Sequence, residues 1–373
     1  MRPRLHALTT LRFLAALHVV LFHMRVVGIL PGGPWWYQNF AAIGFVGVNF
    51  FFVLSGFILV YTYDAPTLNV RNFWWARFAR IYPAYLLSLI VAAPFFFFAV
   101  RHLDLPFFAW SKQHLALACA LTLALLQSWV PNAALTWNSV CWSLSVEAFF
   151  YFLFPFLLLR SKKLSAGKLL FGLVCFWFVS LCLSFSYVFL HPDGIDKINS
   201  GETTLFWKNV LSFNPLVRLP EFIVGMLTCR LFLSRGEKSK PSTLLILGGL
   251  AGFVCVVLLA DKIPNPVLSA GLLSPAFAAI IYGIAQQPKW TAFLAAPFLV
   301  LLGDASYSLY LLHSLVITRI FDSAPHLFWS VRVAICLIGA ILASILAYRL
   351  VEEPARRFLR PRKLSLQRES LSS

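Results

Sequence analysis

Ten apolar runs, each near twenty residues long, punctuate this chain and leave no long polar linker that would mark a second domain. Their approximate limits are 11–30, 44–63, 81–100, 140–159, 169–189, 210–231, 243–260, 266–285, 304–321 and 329–348. About 20 apolar residues in a helix cross the roughly 30 Å hydrocarbon core of a bilayer, where every backbone polar group must be satisfied internally. Composition agrees, with 60% of the 373 residues hydrophobic, 12% charged and a mean hydropathy of +0.79. The sequence therefore predicts an all-α polytopic membrane protein.

An eleventh apolar stretch, 114–130, is shorter, and charge decides how to treat it. If it does not cross, ten spans remain and both termini share one side, which then holds 22 of the 31 basic residues. If it crosses, every later loop inverts and the same side keeps only 11. Basic loops favour the cytoplasm. The expectation is about ten transmembrane helices, a short re-entrant or tilted helix near 114–130, and cytoplasmic N- and C-termini in the inner membrane. The formal charge of +17 lies in short loops between apolar runs, which is an orientation signal and no nucleic-acid face. The seven cysteines lie in apolar segments without metal-ligand spacing, so they read as small hydrophobes and no metal is expected. The N-terminal run, interrupted by two histidines, reads as an uncleaved first helix. Residues 356–373, basic and Ser-rich, read as a disordered cytoplasmic tail.

Ionisable groups at membrane depth are costly and mark functional paths. The first span carries Arg12, His18 and His23 inside its apolar run. Eleven helical steps bring His23 to within roughly 20° of Arg12 and about 16 Å further along the axis, whereas His18 points about 120° away. One stripe thus carries a guanidinium and an imidazole. Arg77 and Arg80, three residues apart at the start of the third span, are ordinary topology anchors or a phosphate-matching pair. Glu147 lies about ten residues inside the fourth span with Ser143 one turn earlier, and needs a cation or histidine partner; His23 is one candidate. Arg218 and Glu221 suit an internal ion pair around Pro220. Asn49 and Ser55 read as packing groups in the second span. In the ninth span His313, Tyr310 and Ser306 share a face, and Asp304 reads as a helix cap. Glu352 and Glu353, beside Arg349, Arg356 and Arg357, read as a surface charge network.

Seven stretches in order carry a family resemblance. They are Arg12 with His23 eleven residues beyond it, FFFVLSGF, RFARIYP, WSLSVEAFFYFLFP, RLPEFIVG, GDASYSLYLLH and the terminal VEEP. Together they resemble the acyltransferase-three family of integral membrane acyltransferases, which includes bacterial O-antigen acetylases. The resemblance implies a membrane acyltransferase domain over 1–355. It implies transfer of an acyl group, usually acetyl, from cytoplasmic acyl-CoA to a hydroxyl of a cell-surface or lipid-linked saccharide or similar acceptor. It further implies that His23 and Arg12 are essential and that Arg77 and Arg80 help hold the donor. Many members carry an appended extracytoplasmic hydrolase-like domain, where this sequence continues only as a short basic tail.

Within that frame His23 is the expected general base, with Glu147 or His313 orienting its ring, and Arg12, Arg77 and Arg80 the expected phosphate ligands. Two other classes compete. A transporter or flippase could use the same buried charges as a path, although neither inverted repeats nor paired broken helices stand out. A non-catalytic partner of a polysaccharide-export assembly is the third.

Overall fold

The computed structural model describes residues 2–65, 67–235, 242–323 and 327–359, without the side chains of 321 and 322. Sixteen α-helices occur among them. In chain order they are α1 His6–Val26, α2 Trp35–Ala42, α3 Val46–Tyr63, α4 Val70–His102, α5 Pro106–Gln113, α6 Leu115–Leu123, α7 Trp142–Ser161 and α8 Ala166–Leu190. There follow α9 Phe206–Phe213, α10 Pro215–Ser234, α11 Thr243–Leu258, α12 Asn265–Ser269, α13 Ser274–Ala285, α14 Pro297–Ser323, α15 Trp329–Ala347 and α16 Glu353–Phe358. The protein is an all-α polytopic membrane protein. Eight described segments are long and apolar enough to cross a bilayer. The 20-residue α10, which carries Arg218, Glu221 and Arg230, and the 16-residue α11 complete the ten expected positions. Residues 356–358 of the expected tail form the end of α16, and the tail beyond residue 359 lies outside the described residues.

Polar contacts sort the helix ends into two sets. At one end Asp64, after α3, faces Arg2 at 3.3 Å, Lys162 after α7 at 3.9 Å and Arg230 of α10 at 2.8 Å. Arg4 pairs with Asp304 of α14 at the same end. At the other end the Asn39 amide donates to Asp261 at 3.1 Å and the Asn265 backbone N–H to Asn199 at 2.9 Å. Successive helices therefore run alternately, and residue 359 returns to the end where residue 2 begins. We call this the terminal end. The α6 helix has nine residues, about 13 Å at the usual rise, under half of a hydrocarbon core. The stretch 114–130 does not cross.

Helices begin earlier than hydropathy alone suggests. The α1 helix starts at His6 and ends before Gly28, whose φ of +82° no further helical turn accommodates. His23 consequently sits in the last turn of α1, close to the far end. The α4 helix starts at Val70, where the Asn69 side chain accepts from the Asn72 N–H at 2.9 Å. Arg77 and Arg80 are thus about two and three turns inside a helix instead of at its start. Asp304 lies within α14, so it caps nothing and instead pairs with Arg4.

The core closes through small residues. A Cβ on Gly225 of α10 would stand 1.9 Å from the Val53 carbonyl oxygen of α3, and one on Gly56 of α3 would stand 2.1 Å from the Phe222 carbonyl oxygen of α10. Gly303 of α14 touches the Thr9 carbonyl of α1 in the same way, and Gly47 of α3 touches that of Ala15. Backbone thus meets backbone along α14, α1, α3 and α10, the close approach that small residues allow between membrane helices. Gly225→Val is expected to lower the thermal unfolding midpoint in detergent, since overpacking costs typically 1–3 kcal/mol. An unchanged midpoint would mean that the helices part easily.

One buried charge pair ties this core together. Arg218 is 2% exposed and lies 3.0 Å from the Glu221 carboxylate. It donates to Asn49 Oδ1 at 2.7 Å and to the Ser269 carbonyl, between the rings of Phe52 and Trp142. Asn49 Nδ2 donates in turn to the Ser269 carbonyl at 3.1 Å. The expected Arg218–Glu221 pair forms, and it joins α10 to α3 and α12.

Candidate active site

The chemistry-bearing residues gather on α1 and α14. His313 is fully buried, and its Nδ1 lies 2.8 Å from the Tyr310 carbonyl oxygen and 3.1 Å from that of Leu309. A carbonyl can only accept, so this nitrogen carries the hydrogen and His313 Nε2 carries the lone pair of the neutral ring. That Nε2 lies 3.1 Å from His23 Nδ1, which is also 2.9 Å from the Val19 carbonyl oxygen. Both neighbours of His23 Nδ1 are acceptors, so the hydrogen of His23 resides there. The pattern leaves the lone pair of His23 on Nε2, which has no hydrogen-bond partner among the described residues. The ring is half-buried and reachable. Such a nitrogen is a proton acceptor whose tautomer is set by its neighbours, the arrangement a general base requires.

Glu147 does not join this pair. Its carboxylate accepts from Tyr151 Oη at 2.5 Å and from Ser55 Oγ at 3.2 Å. The expected Glu147–His23 contact is replaced by His313–His23, because α7 enters the bundle beside α3 and α4 while α14 packs along α1. Ser143, one turn before Glu147, donates to Tyr310 Oη at 2.8 Å, and Tyr310 donates to the Val140 carbonyl at 2.9 Å. The start of α7 is thereby fixed against α14 one turn from His313.

Toward the terminal end the interior holds a cationic cluster. Arg77 donates to Tyr63 Oη at 3.0 Å and lies over the rings of Tyr63, Phe73 and Tyr151. Arg80 pairs with Glu352 at 2.5 Å and lies over Tyr307. Arg12 is half-buried, feels Arg80, Glu352, Glu147 and Asp304 electrostatically, and forms no hydrogen bond or ion pair among the described residues. Its five donors are unspent. A guanidinium in that condition inside a bundle is available to an anion.

One sequence reading changes here. Glu352 is 1% exposed and accepts from both Arg80 and Ser308, the latter at 3.1 Å, so it is an interior residue and not part of a surface network. The network reading holds for Glu353, which pairs with the exposed Arg357 at 2.6 Å. The cause is a π-helical turn over Tyr348–Glu352 that follows α15 and interrupts its regular register. His18 is the other inward residue of α1, and it is satisfied: Nε2 lies 2.7 Å from the Phe40 carbonyl and the ring stacks on Phe40 at 4.2 Å.

Comparison with known proteins now bears on these features. A family model described as an acyltransferase domain, Acyl_transf_3, matches residues 5–349. The chain belongs to the acyltransferase-three family. Acyltransferase MdmB of Streptomyces mycarofaciens is 28% identical to this family member over 96% of the chain and 94% of its own length. O-acetyltransferase OatA of Staphylococcus aureus (strain NCTC 8325 / PS 47) is 25% identical over 95% of the chain, which spans 58% of that relative. Putative O-acetyltransferase SACOL0978 of Staphylococcus aureus (strain COL) is 24% identical over 93% of the chain and 56% of its length. The chain thus spans just over half the length of these staphylococcal relatives. No solved structure matches it significantly. The matched region contains both histidines and the three inward arginines, so this acyltransferase-three protein carries them inside its family domain.

Proposed function

We propose that the protein is an acyl-CoA-dependent O-acyltransferase that moves an acyl group, acetyl in the simplest case, to a hydroxyl of a cell-surface or lipid-linked saccharide or similar acceptor. The terminal end faces the cytoplasm, in keeping with the excess of Lys and Arg there. The single observation that carries the reading is the lone pair on His23 Nε2, held in that tautomer by His313. His23 Nε2 takes the proton of the acceptor hydroxyl as its oxygen attacks the thioester carbonyl. The carbon–sulfur bond breaks, and the proton passes from His23 to the departing sulfur to give free CoA and an ester. His313 is a positioning residue that accepts from His23 Nδ1 and holds the ring as its charge develops.

Arg12, with Arg77 and Arg80, binds the donor phosphates on the cytoplasmic side. Arg80 and Glu352 compensate each other, so Arg12 offers the least committed guanidinium. Its removal is expected to raise the KM for acyl-CoA about tenfold or more, since hydrogen bonds to charged groups contribute roughly 1.5–3 kcal/mol. The KM for acceptor should stay put. Arg12→Gln with an unchanged donor KM would return Arg12 to a purely structural role.

The reading as a whole is tested with purified protein, labelled acetyl-CoA and envelope extracts. Acceptor-dependent appearance of free thiol, together with label in a saponifiable ester, is the expected result. Label that stays entirely on CoA would overturn it.

A further inference from the structure

The far end of the bundle carries a pocket that the chemistry above does not use. It has a volume of about 170 Å³, and its walls include Phe107, Trp110, Asn132, Thr136, Thr203 and Asn209. Among the described residues no charged side chain lines it. Trp110 has one ring face stacked on His114 at 5.0 Å. Asn209 is 3% exposed, and its Nδ2 donates to the Thr203 carbonyl at 2.8 Å and the Pro131 carbonyl at 3.3 Å. That amide fastens two walls of the pocket together and leaves Oδ1 without a partner among the described residues. The lining is therefore aromatic surface beside neutral hydroxyl and amide groups.

The pocket is also tied to the reacting end of α14. Its wall at 131–136 continues through Trp137, a non-glycine residue held at φ +67°, to Asn138. Asn138 Nδ2 donates to the Leu311 carbonyl at 3.0 Å, and Val140 accepts from Tyr310. Leu311 and Tyr310 lie two and three residues before His313. Backbone strain at a bulky residue persists only where the surroundings fix it, and it collects at binding and catalytic segments. One short loop thus forms a pocket wall and grips the helix that positions His23.

We propose that this pocket seats one uncharged sugar ring of the acceptor. A pyranose has an apolar C–H face and an edge of hydroxyls, which match an aromatic face beside neutral donors and acceptors. A phosphate or nucleotide would call for the cations that the lining lacks, and an acyl chain for walls without amides and hydroxyls. The assignment of that sugar as acceptor rests on the acyl-transfer reading, whereas the binding does not.

The test uses the full chain in lipid nanodiscs, with methyl glucoside, methyl galactoside and methyl N-acetylglucosaminide as probes and saturation-transfer NMR as the readout. At least one probe should give a saturable signal that Trp110→Ala weakens by about two- to tenfold, the scale of one aromatic contact. Thr203→Val, a smaller change in the lining, should also weaken it, and His23→Ala should leave it intact. Absence of saturable binding for all three probes, or binding that survives Trp110→Ala undiminished, overturns the proposal. Thiol release measured on the same preparation separates the two readings. Sugar binding without any acyl-CoA consumption would sink acyl transfer and leave the pocket standing; transfer with an unchanged acceptor KM in Trp110→Ala would do the reverse.

Discussion

Alanine in place of His23 should abolish most acyl transfer, a fall of about 10²–10⁴-fold at saturating donor and acceptor, the range general-base help supplies. The fold should survive, because the side chain is half-buried and the helix it leaves is held by packing of α1 on α14. Initial rates of thiol release, with the amount of inserted protein measured in parallel, decide the matter. His313→Ala should lower the rate less than His23→Ala does, since it removes the ring that orients the base and leaves the base itself. A His23 variant with undiminished rate would remove the proton-transfer role from this residue.

The second large effect concerns stability. Arg218→Met is expected to cost about 3–5 kcal/mol, the penalty for breaking a buried ion pair from one side. Glu221, 1% exposed, would be left without its cation, and Asn49 and the Ser269 carbonyl would each lose a donor. Replacing both charges, Arg218→Met with Glu221→Leu, should recover much of the loss, because no uncompensated charge then remains. Unfolding of the three proteins in mixed micelles supplies the comparison. A single variant that behaves like an ordinary surface substitution, within about 0.5 kcal/mol of the parent, would show that the pair holds nothing together.

The helices were legible from hydropathy because lipid imposes one length and one composition on anything that crosses it. Their ends were not. A hydropathy window sees the thickness of the hydrocarbon core, whereas α1, α4 and α14 continue beyond it, and this is why Arg77, Arg80 and Asp304 sit inside helices. The stripe shared by Arg12 and His23 follows from helical periodicity alone. The partner of His23 does not, since His313 is 290 positions away and spacing along a chain cannot say which helices adjoin. Glu352 escaped for a different reason. In a VEEP segment beside three arginines a carboxylate reads as surface, and only the wider π-turn shows that one of the two glutamates faces inward.

The glycine contacts between α14, α1, α3 and α10 have a mechanical consequence. Carbonyl oxygens nested against Cα atoms at four places lock the register of these helices there, so sliding one past another would first require the backbones to part. A machine that exposes one site first to one compartment and then to the other needs two halves able to rock apart. Helices held this closely at their backbones are poorly suited to such rocking.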